Sequence, residues 1–169
     1  IRIDTEPGVP AEAAASAKLA ADSTLRFFKE IFARELQGDV YIRIVGTPES
    51  YAVAFLKEGK INQKEAERRA RTTIGWSIGE GLILQNVGAP FHPNHRRRLY
   101  NIGHELTHKY QAQECLDRCP KILWMYEGVA GAFAAKIVEM AGERELAKQK
   151  ESWLQEVRKL SKRPGLDEL

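Results

Sequence analysis

The sequence predicts an α+β domain, on three observations. An alanine-rich stretch with apolar residues at helical spacing opens the chain, two stretches of strand-forming residues follow it, and three helical stretches close it. With 169 residues, 43% of them hydrophobic, and no repeat, low-complexity tract or linker, residues 1–169 fit a single domain with a sizeable core. The start at Ile1 and the loose "IDTEPGVP" are what a trimmed or mature region of a longer chain would show.

The elements follow in order. "AEAAASAKLAADSTLRFFKEIFAREL", Ala11 to Leu36, is rich in the best helix former and ends with Leu25, Phe28, Ile31, Phe32 and Leu36 near helical spacing, which predicts one long helix. Gly38 and Asp39 break it, and "VYIRIV", Val40 to Val45, alternates as a strand does. Asn62 with Glu65 three residues on resembles a capping box and opens a charged surface helix to about Arg71. "TTIGWSIGEGLILQNVG", Thr72 to Gly88, carries strand formers interrupted by Gly75, Gly79 and Gly81, the pattern of a hairpin or an irregular edge strand. Pro90 and Pro93 make "GAPFHPN" a loop. Helices are expected from Arg96 to about Gln113, from about Lys121 to Met140, and from Glu143 to about Leu160.

Charge excludes some functions. The balance of 26 basic and 23 acidic residues gives +3, and the clusters "ERRAR" and "NHRRR" lack the interleaved aromatics that stack bases, so they read as solvated surface and no nucleic-acid partner is expected. No run approaches the roughly 20 apolar residues of a membrane span.

The chemistry concentrates in "NIGHELTHKYQ", Asn101 to Gln111. Taking Leu99 as zero and about 100° per residue, Leu106, Tyr110 and Ile102 fall near 340°, 20° and 300°, while His104 and His108 fall near 140° and 180°. The two imidazoles therefore share a face opposite the apolar stripe. His92 and His95, taken singly, read as hydrogen-bonded structural residues. Catalytic zinc takes three protein ligands, and "WMYEGVAGAFAA" supplies the third candidate in Glu127, separated from His108 by 18 intervening residues, enough for a turn between antiparallel helices. Ala130, Gly131 and Ala134 lie on Glu127's side of that helix, and such small residues permit close helix approach.

"HELTH" followed after 18 residues by "EG" within "WMYEGVA" resembles the gluzincin metallopeptidases, in particular the aminopeptidase N-like pattern and the smaller peptidase MA-like domains, over about Asn101 to Ala135. The resemblance implies a thermolysin-like zincin core with a small N-terminal sheet packed on the helices. It implies zinc bound by His104, His108 and Glu127, Glu105 as general base, and a peptide or protein substrate. No GxMEN-type string precedes the motif, which turns the expectation toward an endopeptidase rather than an aminopeptidase. Aminopeptidase relatives also place a transition-state-stabilising tyrosine downstream of the glutamate, and here no tyrosine follows Tyr126.

The residues make chemical sense on their own. Zinc held by two neutral imidazoles and one carboxylate keeps net positive charge, polarises a peptide carbonyl and lowers the pKa of water from 15.7 toward about 7. Glu105 lies about 100° from His104 and about 60° from His108 around the helix, beside the metal, where it can take a proton from water and pass it to the leaving amine. The other function class is a catalytically silent zincin-like peptide-binding module. Glu105 favours the enzyme, since a structural zinc site needs no base and closes with a fourth protein ligand. The Trp76–Gln85 stretch can receive an extended peptide by strand addition or be an ordinary hairpin. Cys115, seven residues from His108 and about 10 Å along the axis, is too far to share the ion. A Cys115–Cys119 disulfide, which would put the chain in an oxidising, extracytoplasmic compartment, and two free thiols both remain open.

Overall fold

A computed structural model of the chain describes residues 1–59, 61–79, 81–88, 94–115 and 123–143, the side chains of 115, 123 and 124 excepted. His92, Cys119 and the helix expected from Glu143 to Leu160 fall outside the described residues, Glu143 itself apart. Within them the fold is α+β, with five helices and one four-stranded sheet. The strands are β1 (Arg2–Thr5), β2 (Tyr41–Val45), β3 (Gly75–Ile78) and β4 (Leu82–Asn86), in spatial order β1-β2-β4-β3. The first three in that order run parallel, and β3 lies antiparallel to β4 at the edge.

The sheet is the middle layer. Alternation along β2 sends Ile42 and Ile44 to one face and Val45 to the other, and on β4 Ile83 and Leu84 divide in the same way. On the first face α1 (Ala11–Phe32) and α4 (His95–Cys115) pack through Ala13, Ala17, Ala20, Leu99, Ile102 and Leu106, joined by Val138 of α5 (Leu123–Met140). Alanines along α1 let α4 approach closely. Leu99, Ile102 and Leu106 are fully buried, each contributing about 1.5–3 kcal/mol of apolar transfer free energy. On the second face α2 (Pro48–Glu58) and α3 (Gln63–Thr72) cover Val45 and Leu84 with Tyr51, Phe55, Ala66 and Ala70. Among the described residues no helix is long and apolar enough to cross a membrane.

Three differences from the sequence expectation have physical reasons. The first helix ends at Phe32, not Leu36, because Ala33 turns left-handed (φ 51°) and the Ala33 and Arg34 amides donate to the Lys29 and Phe28 carbonyls. Ile31 and Phe32 are consequently exposed, while Leu36 folds back onto the core. β1 stands where the sequence shows only a loose lead-in, since its four residues include a single half-buried position and pairing with β2 decides its form. α2 is the third difference: it is an additional helix, although Thr47 caps it by accepting from the Ser50 amide at 3.1 Å and Pro48 sits in its first turn. The Asn62 cap is present, with Oδ1 accepting from the Glu65 amide at 2.9 Å. Glu65 does not complete the box: its carboxylate takes Arg68 and Arg69 instead, which hold it down to about 2.

Candidate metal centre

Helix α4 presents two stripes beside its apolar one. The first is Asn101, Glu105 and Lys109, whose steps of four residues rise about 6 Å. It runs along β3, where Gly75 and Ser77 lie about 6.6 Å apart, and past the strand's end to Gly79. The two spacings nearly match, and each pair touches. Oε2 of Glu105 accepts from the Ser77 amide at 2.9 Å, and Nζ of Lys109 donates to the Gly79 carbonyl at 2.7 Å. A Cβ at position 75 would run into the Asn101 side-chain oxygen and stand 3.0 Å from the Leu84 carbonyl oxygen, a close approach that favours glycine there. The amide of Asn86 bonds the Ile74 carbonyl, so in the antiparallel ladder residues 75 and 77 direct their peptide groups outward, which is why Ser77 can reach Glu105.

The second stripe is His104 and His108. Their Nε2 atoms are 3.0 Å apart, and Glu127 of α5 brings Oε2 to 3.1 Å from the first and 3.5 Å from the second. The three ligand atoms belong to one group within 4.8 Å. Ligands at 2.0–2.1 Å around a tetrahedral ion stand roughly 3.3 Å from one another, so these separations match three vertices of such a site. The donor set of two imidazole nitrogens and one carboxylate oxygen suits zinc. Glu127's side chain is 49% exposed against 18% and 12% for the histidines, so the carboxylate stands on the open side of the group.

Electrostatics favours the neutral form of one candidate ligand. Burial pushes the His104 imidazole below the usual histidine range, and His108 beside it works the same way, against the pull of Glu105 and Glu127. A neutral imidazole is the form that ligates. Ala130 and Ala134 of α5 are fully buried. A Cβ at Gly103 would stand 3.3 Å from Ile137, a sign of close approach.

Around the cluster lies a cleft of about 590 Å³ whose lining includes Gly75, Trp76, Ser77, Arg97, Tyr100 and Glu105. A second cavity, about 470 Å³, shares Ser77, His108 and Tyr126 with it and continues past Lys109 to Ala112 and Val40. Trp76 is held against α3 by the Arg69 guanidinium, 4.0 Å from its ring centroid.

All four sequence-predicted site residues thus meet, His104, His108 and Glu127 as one group and Glu105 beside it. Cys115 is placed only by its backbone, at the far end of α4. His95 is hydrogen-bonded, as expected: Nδ1 lies 2.7 Å from Ser16 Oγ. Sequence reasoning misses Tyr100, Asn101, Ser77, Lys109 and Gln111. Helical periodicity could have found Tyr100, one turn before His104, and Gln111, one turn after His108. Ser77 carries no such signal, because its role belongs to its peptide amide. Comparisons with protein-family models, with curated proteins and with solved structures found no match to this chain.

Proposed function

We propose that this chain is a zinc-dependent endopeptidase of the gluzincin type, with a thermolysin-like core. The observation that carries the reading is the convergence of His104, His108 and Glu127 at near-tetrahedral separations, with Glu105 tied beside them by the Ser77 amide. Zinc, when bound, supplies the Lewis acidity that polarises a peptide carbonyl and acidifies a water.

The chain's own residues do the rest. Glu105 has one oxygen engaged by Ser77, leaving Oε1 to take a proton from the attacking water and deliver it to the leaving amine. Tyr126 commits its hydroxyl to the His108 carbonyl at 3.3 Å, so Tyr100 is the phenol assigned to the substrate carbonyl oxygen, the role that has no downstream tyrosine here. Burial and the nearby Glu127 carboxylate raise its pKa, which keeps it a donor at neutral pH. The cleft beside Gly75 and Trp76 offers an extended substrate room along the edge strand. Space on both sides of His108 favours an internal bond over a terminal one.

The test is a peptide-library digest with zinc-loaded, chelated and zinc-restored protein. Internal cleavage lost on chelation and regained with zinc supports the reading. Release of only N-terminal residues would make it an aminopeptidase. No cleavage by fully loaded protein would make it a peptide-binding module.

A further inference from the structure

A hydrogen-bond chain runs from the backbone of α5 to the back of one candidate ligand, and its direction is fixed by chemistry. Gln111 Nε2 lies 3.0 Å from the Tyr126 carbonyl oxygen, and Gln111 Oε1 lies 2.7 Å from His108 Nδ1. A carbonyl only accepts, so the end of the Gln111 amide facing Tyr126 is its NH₂. The other end is then the amide oxygen, which also only accepts, so the proton between it and His108 sits on Nδ1. Neutral His108 therefore carries its lone pair on Nε2, the atom aimed at His104 and Glu127. The Tyr126 ring lies flat on His108, with centroids 4.5 Å apart and planes 9° apart, and holds the imidazole in that plane. His104 differs, since its buried Nδ1 has no hydrogen-bond partner among the described residues.

We infer that Gln111 is the positioning residue of the metal centre: it sets the tautomer and orientation of His108 and pins α4 to α5 one residue before Glu127. This rests on the zinc reading above. An outer partner of this kind fixes the ligating nitrogen and raises ligand basicity, and its loss costs about 10–100-fold in metal affinity. Gln111 touches neither ion nor substrate in this role; it acts through His108.

The experiment is zinc affinity by chelator competition for wild type, Gln111→Leu and Gln111→Glu, together with imidazole ¹⁵N spectra of the metal-free proteins. Gln111→Leu is expected to bind zinc about 10–100-fold more weakly, and its His108 to lose the uniform Nδ1–H signature. Gln111→Glu loses the donor to the Tyr126 carbonyl but keeps an acceptor behind Nδ1, so its His108 is expected to retain the Nδ1–H signature and its zinc affinity to exceed that of Gln111→Leu. Wild-type affinity in Gln111→Leu, or a wild-type His108 spectrum in that variant, would overturn the inference. Should Gln111→Leu fail to fold, the wild-type spectrum decides: Nδ1–H supports the assignment and Nε2–H contradicts it. Absence of zinc binding by wild type would instead strike the metal reading itself, while the tautomer would still be read.

Discussion

His95 and His104 lie nine residues apart on one helix, and each meets polar side chains from a neighbouring helix, yet only one belongs to a set that can hold an ion. At His95 the partner is Ser16, fully buried on α1. The Ser16 hydroxyl donates its single proton to the Glu12 carbonyl at 2.7 Å, so it must accept from His95 Nδ1 and from Arg98 Nε at 3.3 Å. Glu143, 3.8 Å from His95 Nε2, completes what looks by composition like a serine–histidine–glutamate set. The proton directions deny that chemistry, because the histidine offers the serine an N–H and no base. That cluster is closed, a pin between α1 and α4 with a guanidinium inside it. The middle cluster is open: two imidazole nitrogens and a carboxylate oxygen converge on one point, a donor set and spacing that suit a cation. Composition does not distinguish the two. The convergence of ligand atoms does.

The difference can be tested by substitution, starting where the expected change is largest. Glu105→Gln, isosteric and not a ligand, should retain zinc and fold while hydrolysis falls by about 10²–10⁴, measured against a substrate whose cleavage is chelator-sensitive. A variant as fast as wild type would remove Glu105 from the mechanism. Tyr100→Phe should lower kcat by about 10²-fold with little change in KM, as loss of a donor to the developing oxyanion does; an effect on KM alone would assign it to ground-state binding. Glu127→Gln replaces an anionic vertex with a neutral one, and zinc affinity should drop by about 100-fold or more, seen in chelator competition. The smallest change belongs to the closed cluster. His95→Ala should cost about 1 kcal/mol of stability in denaturant unfolding and leave zinc content untouched. Loss of zinc in that variant would erase the contrast between the clusters.

Legibility in the sequence follows how locally each feature is encoded. The apolar stripe Leu99, Ile102, Leu106 and Tyr110 is set by helical period alone, and all four are buried as expected. His104, His108 and Glu105 share that helix, and the small residues after Glu127 announce its close approach, so the candidate ligands are legible from residue type and spacing alone. β1 is not, because four residues with little alternation become a strand only by pairing with β2. β4 fits the hairpin pattern, but its place inside the sheet is hidden by Gln85 and Asn86. Both are fully buried, and their amides donate to the Ile74 and Ala70 carbonyls, so polar side chains there serve the core. The grip of α4 on the edge strand is equally invisible, because Ser77 and Gly79 contribute through peptide groups that any residue would carry.

The central claim is that the open cluster is a zinc site. Its most direct test is the zinc content of wild type and of the His104→Ala, His108→Ala double variant, each stripped with chelator, reloaded with zinc and dialysed. The account expects close to one equivalent of zinc in wild type and none retained in the double variant, with both proteins folded. Full zinc occupancy in the double variant, or none in wild type, would contradict it.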